Sequence, residues 1–432
     1  MAESGDAHGW APLDPEPTGE RPLPPATSPA PPPPQAHPGW PQPGQYQGQY
    51  GHPGYPQPGY PQPGYPQPGY PQPGYAYPGY GAAPAPKPPW AVDPPPGTPF
   101  HRMARTAAHR WWRPLAGTLG ILGLGFGLAI GLMIIGLIVR LAATGDAMDD
   151  SASDSIFGDA TADLAFDLGM LAVFLPVGFL AAWVVQRRRP GTLSSVAGRL
   201  RWRWLLACCG LAALFCVVSY GSSMIASTLV GDDSGSDEHW VGWGDFLAPA
   251  IVIILLVPFQ SAAEEYVFRG WLLQAVGACT LETLRGRVGR ACSAVLRTPW
   301  PGIVVGAALF TAGHGYTGWG VLDIFFFGAL AAWLAVRTGG LESGIALHVF
   351  NNLMAFLFPA AVGKLDIEQG GVRWEYVLAD IVPMVLYALA VVLLARRMRI
   401  QTLTAETREE PGPDAPPAPA RVGGSPGPEF AA

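Results

Sequence analysis

The chain has 432 residues, of which 49% are hydrophobic and only 13% are charged. Its net charge of −6 comes from arginines and aspartates that lie on separate connections, so the bulk charge gives no support to nucleic-acid binding. Both ends are polar or proline-rich, and the part between them is therefore very apolar. Several of its stretches reach the roughly 20 residues that cross a hydrocarbon core. The composition predicts a multi-pass membrane protein whose partner is the lipid bilayer.

Residues 1–100 are dominated by Pro, Gly, Gln and Tyr, and the motif PQPGY occurs four times in tandem between Pro56 and Tyr75. A chain of this composition buries too little apolar surface to offset the entropy of ordering. We expect residues 1–100 to be a disordered cytoplasmic tail, either a solvated spacer or a ligand for a Pro-motif-binding partner. Residues 401–432 have the same character and predict a second disordered tail.

Eight apolar segments follow one another between the tails. They cover residues 114–139, 168–186, 203–229, 250–281, 301–314, 319–336, 341–358 and 376–395. The pattern predicts an all-α, polytopic membrane bundle of about eight transmembrane helices. We assign three helices to residues 110–245, a functional core to 246–358 and the last helix to 359–400.

The connections between these segments differ in charge. One set is rich in arginine, as in RRRPGTLSSVAGRLRWR at residues 187–203. The opposite set is acidic, as in GDAMDDSASDS at 145–155 and GDDSGSDEHW at 231–240. Because cytoplasmic loops carry the excess of Lys and Arg, this distribution predicts a plasma-membrane protein with both termini in the cytoplasm.

The fourth segment contains SAAEEYVFRGWLL at residues 261–273, with three charges near its middle. Each charge costs roughly 3 kcal/mol at the bilayer centre unless it is paired or faces a hydrated cavity. On a helix Glu265 and Arg269 are i,i+4 neighbours and can pair. Glu264 points about 100° away and has no partner in its own helix. The stretch predicts one ion pair and one available carboxylate.

Two histidines lie within the apolar segments. His314 stands between two glycines in ALFTAGHGY, and His348 precedes Asn352 by four residues in GIALHVFNNLMAF. His348 and Asn352 therefore share one helix face. Together with Glu264 these residue types supply a base for a water, a group that holds the water and donors for an oxyanion. The set is sufficient for peptide hydrolysis.

Three motifs in residues 248–358 resemble those of the CPBP intramembrane proteases, which include the CAAX prenyl protease 2 and lysostaphin resistance protein A-like proteins. They are EExxxR at Glu264–Arg269, FxxxH at Phe310–His314 and HxxxN at His348–Asn352. The resemblance implies an all-α membrane fold in which Glu264 activates water, His314 holds it, and His348 with Asn352 stabilises the oxyanion. Glu265 and Arg269 are implied as supporting residues.

The implied substrate is a membrane-associated protein or peptide, and CaaX-type processing is one form of the activity. The signature recurs in proteins with different targets, so a prenyl group does not follow from it. Zinc is a further open point: Glu264, His314 and His348 match the His₂Glu ligand type, whereas the HExxH spacing is missing. A metal-free mechanism and a zinc-dependent one are both consistent with the sequence.

Other functions are compatible with parts of this pattern. The same buried Glu and His residues could serve an ion- or proton-coupled transporter, although the two halves show no inverted repeat. A non-proteolytic scaffold or immunity protein is another alternative. GWGD at residues 242–245 matches the GxGD pattern of aspartyl intramembrane proteases, but it adjoins an acidic loop where Gly and Asp are ordinary turn residues. We favour the glutamate-type endopeptidase.

Overall fold

The computed structural model describes residues 89–145, 155–232, 238–281, 285–365 and 370–406. The PQPGY repeats and residues 407–432 lie outside the described residues. The helices are α1 Trp112–Thr144, α2 Ala160–Ala172, α3 Phe174–Val184, α4 Trp202–Val230, α5 Trp243–Glu264, a π-helix Glu265–Leu272, α6 Leu273–Gly277, α7 Arg287–Leu296, α8 Trp300–Ala312, α9 Trp319–Thr338, α10 Glu342–Ala361 and α11 Trp374–Arg397. Short 3₁₀ turns occupy Phe100–Arg102 and Pro190–Leu193.

The fold is an all-α membrane bundle, as the sequence predicts. Seven continuous helical stretches in the described parts of the chain are long and apolar enough to cross a membrane. The fifth predicted span, at residues 301–314, corresponds to α8, which meets α7 at an angle of 65°. With 13 residues, α8 is about 20 Å long and does not cross a hydrocarbon core of roughly 30 Å alone. The described part of the protein is thus multi-pass, with seven spans, or eight if α7 and α8 together form one.

The residues just before α1 are packed rather than extended. Phe100 is fully buried, and the backbone N–H of Gly97 donates to the Thr404 carbonyl at 3.1 Å. Thr404 in turn donates from its own N–H to the Thr98 carbonyl at 3.0 Å. Residues 89–100 were assigned to the proline-rich tail from composition. The predicted end of the tail at residue 100 is therefore too late in the sequence. Burial of Phe100 and backbone hydrogen bonds to the chain after α11 order this short proline-rich stretch.

Helix α10 brings the three motifs together. It packs against α4, α5 and α9, and α9 packs against α8. On the side where α8 and α10 end, the chain before α9 pairs with the chain before α11 through two parallel two-residue strands, β1 Thr317–Gly318 and β2 Gly371–Val372. The end of α5, the end of α8 and the first half of α10 meet in one region, where His348 contacts Glu264 and Phe310.

The EExxxR motif is not regular α-helix. Its residues from Glu265 onwards form a π-helix, and the Leu273 N–H donates to the Phe268 carbonyl five residues earlier. The wider turn changes the direction of the side chains relative to α5. Such insertions occur in helices frequently at functional sites. Here the π-helix begins at the junction between the two adjacent glutamates.

Candidate active site

Glu265 and Arg269 form a fully buried ion pair. Arg269 Nη1 lies 3.0 Å from Glu265 Oε1, and the two side chains are 1% and 0% exposed. The guanidinium also lies over the Phe310 ring at 4.2 Å from its centroid. This confirms the i,i+4 pair predicted from the sequence. Phe310, the first residue of FxxxH, thus contributes a cation–π contact that supports the buried charge.

His348 joins the two glutamates. Its Nδ1 lies 2.9 Å from Glu265 Oε1, and its Nε2 lies 3.3 Å from Glu264 Oε2. The imidazole is 3% exposed, whereas the Glu264 side chain keeps 15% exposure. Glu264 has no partner in its own helix, as predicted, but it has this one in α10. When His348 is protonated, two carboxylates face two cations and the cluster is neutral.

His314 lies two residues beyond the end of α8 rather than inside the span. At the end of α8, the Gly313 N–H donates to both the Leu309 and the Phe310 carbonyls, which tightens the last turn. His314 Nδ1 is 2.8 Å from the Phe310 carbonyl. A carbonyl only accepts, so Nδ1 carries the proton and Nε2 of the neutral ring presents a lone pair. The half-buried ring stacks on Tyr316.

Asn352 is one turn further along α10 than His348. Its Nδ2 lies 3.1 Å from Gln260 Oε1 and 3.3 Å from Ser261 Oγ, both on α5. His348 and Asn352 share a helix face, but they contact different partners: the first contacts the glutamates and the second contacts the turn of α5 before them. Gln260 and Ser261 belong to none of the three motifs. Their polar side chains in an apolar segment, just before Glu264, are the feature of the sequence that could have identified them as site residues.

Two cavities meet at these residues. One, of about 490 Å³, is lined by Glu264, His314 and Asn352 and extends towards α2. The other, of about 470 Å³, is lined by His314, His348 and Asn352 and extends between α4, α9 and α11. Because His314 and Asn352 line both, Glu264 and the two histidines lie beside two adjacent cavities. A peptide segment and a water can occupy such a space inside the bundle.

Several polar residues of this space were not assigned to the site from the sequence. Asn351 and Tyr316 line both cavities. Asp323 and Asp380 line the second cavity. Asp380 also joins two helices, since it accepts a hydrogen bond from Ser219 of α4 at 3.2 Å. Only the packing of α4, α9, α10 and α11 against one another brings these residues to the cavity, and no local pattern in the sequence indicates it.

The metal-ligand set suggested by the sequence does not fit. In the described part of the chain, no three His, Cys, Asp or Glu side chains are grouped so that they could hold one ion. The nitrogens of His348 both face carboxylates, which leaves none directed at a shared point with His314.

These features define a class: a polytopic membrane protein with a carboxylate and two imidazoles around a cavity among its helices. Residues 245–354 match the family model described as type II CAAX prenyl endopeptidase Rce1-like. The match confirms, over this segment, the resemblance to the CPBP proteases that the three motifs indicate.

One relative is consistent with this resemblance. The uncharacterized protein YyaK of Bacillus subtilis (strain 168) is 24% identical over 233 residues, which are 51% of this chain and 72% of the relative. No solved structure matches the chain. The matched family model describes a protease, and the substrate and mechanism of this chain are proposals that rest on the site.

Proposed function

We propose that the protein is an intramembrane endopeptidase that hydrolyses a peptide bond of a membrane-associated protein or peptide, with Glu264 activating the attacking water. One observation carries this proposal. Of the two adjacent glutamates, Glu265 is fully buried in contact with Arg269 and His348. Glu264 is partly exposed and lines a cavity together with His314. A purely structural cluster has no need of the second carboxylate.

The water is held from two sides. Glu264 accepts one of its protons, and the Nε2 lone pair of His314 accepts the other as a hydrogen bond, because Nδ1 of that ring is committed to the Phe310 carbonyl. With both protons engaged, a lone pair of the water oxygen is directed at the substrate carbonyl. Attack gives a tetrahedral intermediate, and the proton on Glu264 then passes to the leaving amine.

The role of His348 differs from simple oxyanion donation in this arrangement. Its two nitrogens contact Glu264 and Glu265, so it orients the base through Nε2 and is itself anchored through Nδ1. Glu265 and Arg269 support this anchor from the π-helix. When Glu264 takes up the proton, the Nε2–H of His348 becomes available to the developing oxyanion.

Asn352 is the second oxyanion donor. Its Nδ2 donates to Gln260 Oε1 and to Ser261 Oγ, which fixes the plane of the group at the cavity, and the oxyanion replaces one of these acceptors. Asn351, whose Nδ2 lies 3.5 Å from Asn352 Oδ1, adds a further amide at the same place. A preorganised donor of this kind contributes about 2.7–4 kcal/mol to transition-state stabilisation.

The substrate is membrane-associated, and a CaaX-type sequence is one member of that class. The basic connections 187–203 and 285–297 and the end of α11 lie on one side of the bundle, which supports cytoplasmic termini in a plasma membrane. Tyr316, directly before β1, lines both cavities. The substrate reaches Glu264 through these cavities.

The test compares membrane-fraction peptides from cells with the native chain, with Glu264→Gln, and with Glu238→Gln as a control. Glu238 is a surface residue that contacts Lys364 outside the cavities. We expect the same cleavage products to disappear with Glu264→Gln and with His314→Ala, but not with the control. If both site variants leave every membrane peptide unchanged, the endopeptidase proposal is wrong, and proton uptake by vesicles containing the protein would then test the transporter alternative.

A further inference from the structure

A separate groove lies where α9 and α11 end, on the arginine-rich side of the bundle. Its volume is about 360 Å³, and it is also bounded by Pro99 and the chain after α11. Three arginines, Arg337, Arg396 and Arg399, line it together with apolar residues such as Val336, Val392 and Ile400. We call this the α9–α11 groove. It shares no residue with the two cavities of the proposed active site.

The three arginines have no acidic partner within the described residues. The ion pairs found there use other groups, such as Arg201 with Glu342 and Arg269 with Glu265. Arg337, Arg396 and Arg399 are all exposed. A helix end can accommodate one or two cations through its dipole. Three of them around one concave surface, with none paired, favour an anionic ligand.

The backbone at Arg399 is a second, independent observation. Its φ is +52°, in the left-handed region. The Arg399 N–H donates to the Arg396 carbonyl, and the Ile400 N–H donates to the Ala395 carbonyl, which is the hydrogen-bond pattern of a helix C-terminus that usually carries glycine at this position. The chain keeps an arginine where glycine is more stable, and the side chain lies in the groove.

The groove is also built rather than accidental. Arg201 donates from Nη1 to the Thr338 carbonyl at 3.1 Å and to the Gln401 carbonyl at 2.9 Å, which fastens the end of α9 to the chain after α11. Thr404 and Thr98 fasten that chain to the segment before α1. The backbone positions that carry the three arginines are therefore set before any ligand binds.

We propose that the α9–α11 groove binds the phosphate headgroup of an anionic phospholipid of the surrounding leaflet. Guanidinium groups recognise phosphate through charge-assisted, paired hydrogen bonds. The groove lies at the ends of two membrane spans, where headgroups are located, and exposed leucines of α11, Leu389 and Leu393, continue from it along the lipid-facing surface. The phosphate occupies the arginines, and the acyl chains follow α11. Basic pockets between transmembrane helices on the cytoplasmic side are suited to such headgroups.

The test measures lipid binding by the purified full chain in detergent, using native mass spectrometry with phosphatidylglycerol and with phosphatidylcholine. The groove variant carries Arg337→Gln, Arg396→Gln and Arg399→Gln. The control carries Arg287→Gln, Arg290→Gln and Arg397→Gln, which removes the same charge from exposed positions outside the groove. Each arginine near a membrane surface contributes about fivefold to the binding constant, so the groove variant should bind phosphatidylglycerol about 100-fold more weakly.

The control should bind phosphatidylglycerol nearly as well as the native chain, and phosphatidylcholine should bind weakly to all three. Equal losses in the two variants, or no loss in either, overturn the proposal, because the attraction is then a property of the whole basic surface or absent. Inorganic phosphate that displaces the lipid stoichiometrically would identify an ion site and also overturn it. Arg399→Gly checks the result without disturbing the fold: its melting temperature should rise while phosphatidylglycerol affinity falls.

Discussion

The two adjacent glutamates should differ in how much stability the same isosteric change removes. Glu265→Gln removes the charge that faces Arg269 at 3.0 Å and His348 at 2.9 Å in a place with no solvent exposure. Breaking a buried pair from one side costs about 3–5 kcal/mol. Because the glutamine oxygen still accepts hydrogen bonds, we expect a loss near the lower end, about 3 kcal/mol. Glu264→Gln removes one 3.3 Å contact of a partly exposed group and should cost less than about 1 kcal/mol.

The assay is thermal unfolding of both variants in the same detergent, alongside proteolysis. At about 2 °C per kcal/mol, Glu265→Gln should lower the melting temperature by roughly 6 °C and Glu264→Gln by no more than about 2 °C. The second variant should nevertheless be inactive. Adding Arg269→Met to Glu265→Gln should recover part of the stability, since the unpaired cation is then gone. Equal melting temperatures for the two single variants would refute this division between a structural and a reactive carboxylate.

Four further outcomes follow from the geometry. Burial lowers the pKa of His101 from its ordinary value of 6.5, so the folded state binds the proton less readily than the unfolded state. The protein should therefore lose stability as the pH falls below 6.5, and His101→Gln should flatten the dependence of the melting temperature on pH. Gly277→Ala should destabilise by about 3 kcal/mol or more, because its Cβ would lie 1.9 Å from the His101 carbonyl oxygen, while Gly210→Ala, with open space around it, should not. The exposed thiol of Cys292 should react with an impermeant reagent only from the cytoplasmic side, and labelling from the outer side would reverse the orientation. Proteolysis should persist in a chelator, and a loss restored by added zinc would contradict the metal-free mechanism.

The membrane architecture was predictable because hydropathy and arginine distribution are local properties of the sequence. The span boundaries moved by up to eight residues, and the segment at 301–314 proved to belong to a bent pair, α7 and α8. The two helices are apolar enough only when taken together, and the angle between them depends on tertiary packing. The packing of residues 89–100 was also hidden, because proline-rich composition outweighs a single buried Phe100 in any local estimate.

The same distinction between local and tertiary information applies to the side chains of the candidate site. Spacing predicted the Glu265–Arg269 pair, because helical geometry alone determines it. Spacing could not predict that His348 contacts both glutamates, since this depends on how α10 lies against the π-helix. The cavity residues Asp323 and Asp380 were missed as site residues for a related reason: each comes from a different helix, and only the assembled bundle places them around one space. The roles of Glu264, His314, His348 and Asn352 in catalysis stay predictions.

The most direct test of the central claim is peptide hydrolysis by the purified chain in lipid vesicles, with a membrane peptide identified from the cellular comparison. Folded Glu264→Gln, with a melting temperature close to that of the native chain, should release no product, while Glu238→Gln should cleave at the native rate. Product formation by Glu264→Gln at a similar rate would show that another group activates the nucleophile. Trapping of an acyl-enzyme during turnover of the native chain would equally contradict direct attack by water.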